Sequence, residues 1–80
     1  MDAEQVCSKA DFLQFMAALQ QDLADDSPQW ENRTLADYLE ALARWVEDME
    51  GYYHNTGQEM PRHVSWQVFA NILQAASIYE

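Results

Sequence analysis

Few residues in this chain are of types that do chemistry, and their spacing limits what chemistry they can do. The segment from Asp48 to Glu59, DMEGYYHNTGQE, lies between two helical patterns and ends in Glu. An EF-hand calcium loop has that length and that last ligand, but it also needs an oxygen ligand at its fifth position and glycine at its sixth. Here the fifth residue is Tyr52, and Gly51 stands fourth. No calcium site is expected. His54 and His63 lie nine residues apart, without the spacing or the cysteines of a zinc site, and read as solvent-exposed side chains. Cys7 is the only cysteine, so no intrachain disulfide can form. It reads as a bystander thiol, and the lack of disulfide staples in so small a chain favours a reducing compartment. Glu47 and Asp48 are neighbouring carboxylates, but adjacent helix positions point in different directions. No nucleophile elbow, phosphate-cradling glycine loop or zinc-protease signature is present. A chain of 80 residues also leaves little room for a deep, water-excluding cleft. The expectation is a protein that is not an enzyme, with no catalytic residue, metal or cofactor.

Binding is the remaining chemistry. Trp30, Glu31 and Asn32 lead into the middle of the chain, and Tyr52, Tyr53, His54 and Asn55 follow it. With Glu47 and Asp48 between them, these residues form a candidate partner-binding set. Tyr and Trp offer large rigid area together with a hydrogen-bonding group, the combination found at protein hot spots. A structural role is the alternative: Trp30 folded under a helix, Asn32 and Asn55 satisfying loop backbone. Fourteen acidic residues against four basic ones give a net charge of −10. That balance argues against nucleic acid, which is bound through Lys and Arg clusters, and against anionic membrane surfaces. It leaves a basic protein partner open, although solubility alone would also explain it. The concrete expectation is a non-catalytic acidic interaction module, possible in the form of an immunity-type inhibitor covering the cationic site of a basic toxin.

The elements that must position these residues are helical. Residues 1–7 read as a disordered or frayed leader. Ser8 and Asp11 have nearly the spacing and chemistry of a capping box, and a helix is predicted over 9–24, with Phe12, Phe15, Met16, Leu19 and Leu23 in one stripe. Acids in its last turns oppose the helix dipole, and Asp25-Asp26-Ser27-Pro28 ends it. Thr34 with Asp37, or else Asn32, caps a second helix over 34–50. Leu35, Tyr38, Leu39, Leu42, Trp45, Val46 and Met49 make its apolar stripe, Arg44 can reach Glu40 and Asp48, and Gly51 is placed to follow its end. A loop of about a dozen residues, pinned by Tyr52 and Tyr53, then leads to a third helix over 65–79, with Ser65 as its cap.

That third helix is apolar on two sides. Trp66, Phe69, Ala70, Leu73 and Ala76 form one stripe, and Val68, Ile72, Ala75 and Tyr79 form another. Only a narrow strip of Gln67, Asn71 and Gln74 separates them. Such a helix must be covered on both faces, either by the other two helices or, on the second stripe, by another copy of the chain in a regulatory or structural homodimer. The prediction is an all-α fold with three main helices, residues 8–80 forming one domain, monomeric or homodimeric. The opening MDAEQVCSKADF has no basic n-region or apolar core, and no apolar run approaches the roughly 18 residues of a membrane span. A cytoplasmic location is expected.

The run WENRTLADYLEALARWVEDMEGYY, with Asn55, Pro61, Ser65-Trp66 and the terminal ILQAASIYE, resembles a family of small acidic bacterial proteins classed as a domain of unknown function. The resemblance covers Lys9 to Glu80. It implies a stand-alone bacterial domain and carries no catalytic or ligand residues with it.

Overall fold

Ser8, Thr34 and Ser65 each stand in extended conformation just ahead of a helix. Their side-chain oxygens accept the N–H groups of Asp11 (3.2 Å), Asp37 (3.1 Å) and Val68 (3.1 Å). Each bond satisfies one of the N–H groups that a helix start leaves without an intrahelical partner. The helices that follow are α1 (Lys9–Ala24), α2 (Leu35–Asn55) and α3 (Trp66–Ile78). The structure, a computed structural model, describes residues 2–25 and 30–79, and no strand occurs among them. It is an all-α fold of three main helices, and no described helix is long and apolar enough to cross a membrane. The break expected at Asp26-Ser27-Pro28 lies outside the described residues.

α3 is covered on both of its apolar stripes, each by a different part of the chain. On one side Ala70 packs with Phe12 and Phe15 of α1 and with Ala3 and Val6, while Met16, Leu19 and Leu73 close around them. The Phe12 ring lies 5.0 Å from Phe69 and 5.2 Å from Trp66, centroid to centroid. On the other side Val68 and Ile72 pack with Trp45, Met49 and Tyr53 of α2, flanked by Leu42, Ala75 and Tyr79. Each large side chain buried in this way contributes about 1.5–3 kcal/mol. The second stripe is therefore covered within one chain by α2.

Three features of the sequence reading need correction. The leader does not fray: Ala3–Gln5 form one turn of 3-10 helix, and Val6 is completely buried. Nothing periodic in so short a segment signals this, because its partners lie on α1 and α3. Next, α2 does not stop before Gly51. It runs five residues further than predicted, to Asn55, because Tyr53 packs into the α2–α3 core and Tyr52 sits against Trp45 (5.8 Å). The connection to α3 shortens to residues 56–65. Finally, the buried row of α2 is Ala41, Trp45, Met49 and Tyr53, four residues apart. Leu35 (72% exposed), Leu39 (54%) and Val46 lie outside it, open to solvent.

Candidate functional site

The two ring-and-amide clusters sit at opposite ends of α2. A helix of 21 residues is about 30 Å long at 1.5 Å per residue, close to the 34 Å length of the whole molecule. They do not form one site.

The leading cluster holds the end of α3. The last carbonyls of a helix have no intrahelical partner, and here residues 31 and 32 supply donors. The backbone N–H groups of Glu31 (2.9 Å) and Asn32 (3.0 Å) both donate to the Ser77 carbonyl. The Asn32 side-chain amide donates to the carbonyls of Ala76 (2.9 Å) and Tyr79 (2.7 Å). Trp30 is buried and stacks on Tyr38 at 5.7 Å, whose hydroxyl donates to the Leu73 carbonyl (2.8 Å). Burial of that hydroxyl disfavours the phenolate and pushes its pKa up to about 12. Trp30 and Asn32 are thus used inside the fold, and only the Glu31 side chain of this cluster faces solvent.

The trailing cluster ends α2. Gly57, at φ +71°, is the residue in left-handed conformation. Its N–H donates to the His54 carbonyl (3.2 Å) and the Gln58 N–H to the Tyr53 carbonyl (2.8 Å), the two bonds of a Schellman motif. His54 and Asn55 are exposed, as are Glu47 and Asp48 on the helix. Asp48 accepts a hydrogen bond from the Tyr79 hydroxyl, which raises the Tyr79 pKa because ionisation would remove the donated proton. Among the described residues no three His, Cys, Asp or Glu side chains group as metal ligands. Tyr52 and Tyr53 meet edge to face at 5.1 Å. Tyr53 is buried, and its hydroxyl has no hydrogen-bond partner among the described residues. Tyr52 is 38% exposed.

Those two tyrosines line a groove. With α2 covering one side of α3 and the 3-10 turn and α1 covering the other, the strip of Gln67, Asn71 and Gln74 remains as its floor. Two depressions of about 490 and 310 Å³ run along it and share Glu4, Tyr52 and Asn71. Trp45 and Tyr52 come from α2, Asp2 and Glu4 from the opening turn, and Glu59 from the α2–α3 connection. The Gln67 amide donates to the Glu4 carbonyl (2.9 Å), and the Gln74 side-chain oxygen accepts from the Ala3 N–H (3.4 Å), so the floor holds its own wall in place. The Asn71 side chain forms no hydrogen bond among the described residues. Of the sequence candidates only Tyr52 and Tyr53 belong here. Glu4, Trp45, Gln67, Asn71 and Gln74 were missed. The polar strip is the available signal, but in sequence it reads only as a separator, because residues 2–6 show no period that would mark them as a wall.

A third cavity, of about 350 Å³, lies between α1 and the start of α2 and is lined chiefly by Met16, Leu19, Leu23, Trp30, Leu35 and Tyr38.

Residues 8–80 match the model of a family described as Family of unknown function (DUF7660), and the chain belongs to that family. No match was found among curated proteins or among solved structures. The family model begins at Ser8, so the turn that supplies Asp2 and Glu4 to the groove lies outside it.

Proposed function

We propose that this member of a family without an assigned activity is a non-catalytic interaction module that takes a basic protein partner. One concrete form is an inhibitor that covers the cationic site of a toxin. The observation that supports the reading is the open groove over α3, walled by the carboxylates of Asp2, Glu4 and Glu59 and by the rings of Trp45 and Tyr52, on a chain of net charge −10. Rings beside carboxylates suit a cationic surface: the carboxylates steer and pair with it, and the ring faces attract the same charge.

Such association weakens with salt, because the Debye length falls from roughly 30 Å at 0.01 M to about 10 Å at 0.1 M. Affinity capture on the immobilised protein at low ionic strength is expected to retain a partner of high isoelectric point. Modest salt should then release it. A retained partner that is acidic, or retention indifferent to salt, would remove the basis of the reading.

A further inference from the structure

We infer that the groove over the polar strip of α3 holds an extended, Arg- or Lys-rich segment of the partner chain. The inference rests on the interaction reading above and names what that reading leaves open: the site and the conformation recognised.

The floor decides the conformation. Amide side chains carry both donors and acceptors, which is what an extended backbone needs for its own N–H and C=O groups. Among the described residues Asn71 is unpaired, the Gln67 side-chain oxygen accepts no hydrogen bond and the Gln74 side-chain NH₂ donates none. A helical ligand satisfies its backbone internally and would offer these amides only side chains or water. The α3 side of the groove, from Gln67 to Ile78, is about 16 Å long at helical rise, which matches about five residues of extended chain.

The walls decide the charge. Asp2, Glu4 and Glu59 supply carboxylates, and Tyr52 supplies an exposed ring, with the buried Trp45 behind it. Guanidinium and ammonium groups are the ligands that satisfy both at once. The Tyr53 hydroxyl is a second, independent sign. It belongs to a side chain more than nine-tenths buried, it has no partner among the described residues, and Tyr53 itself lines the groove. Buried polar atoms are rarely left unpaired; this one is sealed from solvent, so a ligand group meets it only with a shift of the groove wall.

The test uses the whole protein, isotope-labelled, and a capped oligo-arginine peptide of about six residues, with spermine as a cation that lacks a peptide backbone. At low salt the peptide is expected to shift the side-chain amides of Gln67, Asn71 and Gln74 and the indole of Trp45. Asn71→Ala and Glu4→Gln are each expected to weaken it by about three- to fivefold. Glu50→Gln, exposed and outside the groove, should leave it unchanged. Glu4→Gln removes only a surface charge, so it reports even if Asn71→Ala unfolds. Equal weakening by both glutamate variants, with shifts spread along α2, would overturn the groove and leave the acidic-surface reading standing. Spermine binding as tightly and with the same amide shifts would overturn recognition of the peptide backbone. No binding of the peptide at low salt would sink the inference and the reading beneath it together.

Discussion

The two ends of α2 carry similar side chains and use them differently. At its start, Asn32 and Tyr38 direct their polar groups to the last turns of α3, where each hydrogen bond they make has a backbone carbonyl at its far end, and Trp30 stacks on Tyr38. At its other end Tyr53 is buried more deeply than Asn32 or Tyr38, yet its hydroxyl has no partner among the described residues, and the Tyr52 ring stands open beside it. Composition sets how much hydrogen-bonding capacity a segment has. Whether that capacity is already taken up by the fold depends on which backbone groups it meets. The carbonyls of a helix terminus are unsatisfied by construction, so amides placed beside one become structural. At the trailing end the Schellman bonds run from Gly57 and Gln58, leaving the tyrosine hydroxyls out of the cap.

The comparison breaks most readily at Asn32. Its amide donates two hydrogen bonds to terminal carbonyls of α3, and removing one partner of a poorly solvated bond costs about 1–3 kcal/mol. Asn32→Ala is expected to lose about 2 kcal/mol, which at roughly 4–8 °C per kcal/mol for a domain of this size lowers Tm by about 10 °C. A variant melting with the parent would mean that the start of α2 is no more committed to the fold than its end.

The glycines sharpen the contrast by locating the end of α2. Gly57 needs its left-handed φ, which costs an ordinary L residue about 1–2 kcal/mol, so Gly57→Ala is expected to destabilise by about 1 kcal/mol. Gly51 lies inside the helix, and an added Cβ would meet nothing within 4 Å. Gly51→Ala should instead stabilise by about 0.5–1 kcal/mol, the usual gain of alanine over glycine within a helix. Opposite signs in thermal melts would place Tyr52 and Tyr53 on the helix. A loss at Gly51 would return them to a loop.

This glycine pair also shows what the sequence could and could not carry. Helix starts were legible because the cap is local: the Ser8, Thr34 and Ser65 oxygens each accept the backbone N–H three residues on. The end of α2 was not, because both glycines suit a helix terminus and the choice was made by Tyr53 packing on Val68 and Ile72, far along the chain. The two stripes of α3 were readable and do bind two different neighbours, since thirteen residues give the helical period enough turns to show. The groove was not readable. Its floor was visible as Gln67, Asn71 and Gln74, but one wall depends on Ala3 and Val6 being buried, and two small apolar residues in a polar segment show no period at all.

A smaller effect separates the half-buried Tyr38 from the buried Tyr53. Tyr38→Phe removes a hydroxyl bonded to the Leu73 carbonyl and is expected to cost about 1 kcal/mol, whereas Tyr53→Phe removes one that bonds nothing and is expected to be neutral or slightly stabilising. Equal losses in urea unfolding would show that the Tyr53 hydroxyl has a partner after all.

The smallest effect is confined to alkaline pH, and its sign follows from which form of Tyr38 the fold prefers. Burial raises its pKa from 10.0 to about 12, so the folded state keeps the proton longer than the unfolded chain does. Below the unfolded value both states are protonated, and Tyr38 adds no pH dependence. As pH rises from there toward the folded value, the unfolded chain ionises first and binds fewer protons, so stability falls with increasing pH. The contribution is complete below the lower pKa and is lost as pH passes the upper one. Near-ultraviolet phenolate absorbance of the folded protein should therefore show a late step that disappears in Tyr38→Phe. Tyr79 also ionises late, because its hydroxyl donates to Asp48. Asp48→Asn should move that component earlier and leave the Tyr38 step where it was. A late step that survives Tyr38→Phe and moves only with Asp48→Asn would mean that Tyr38 is solvated, and that the start of α2 is as open as its end.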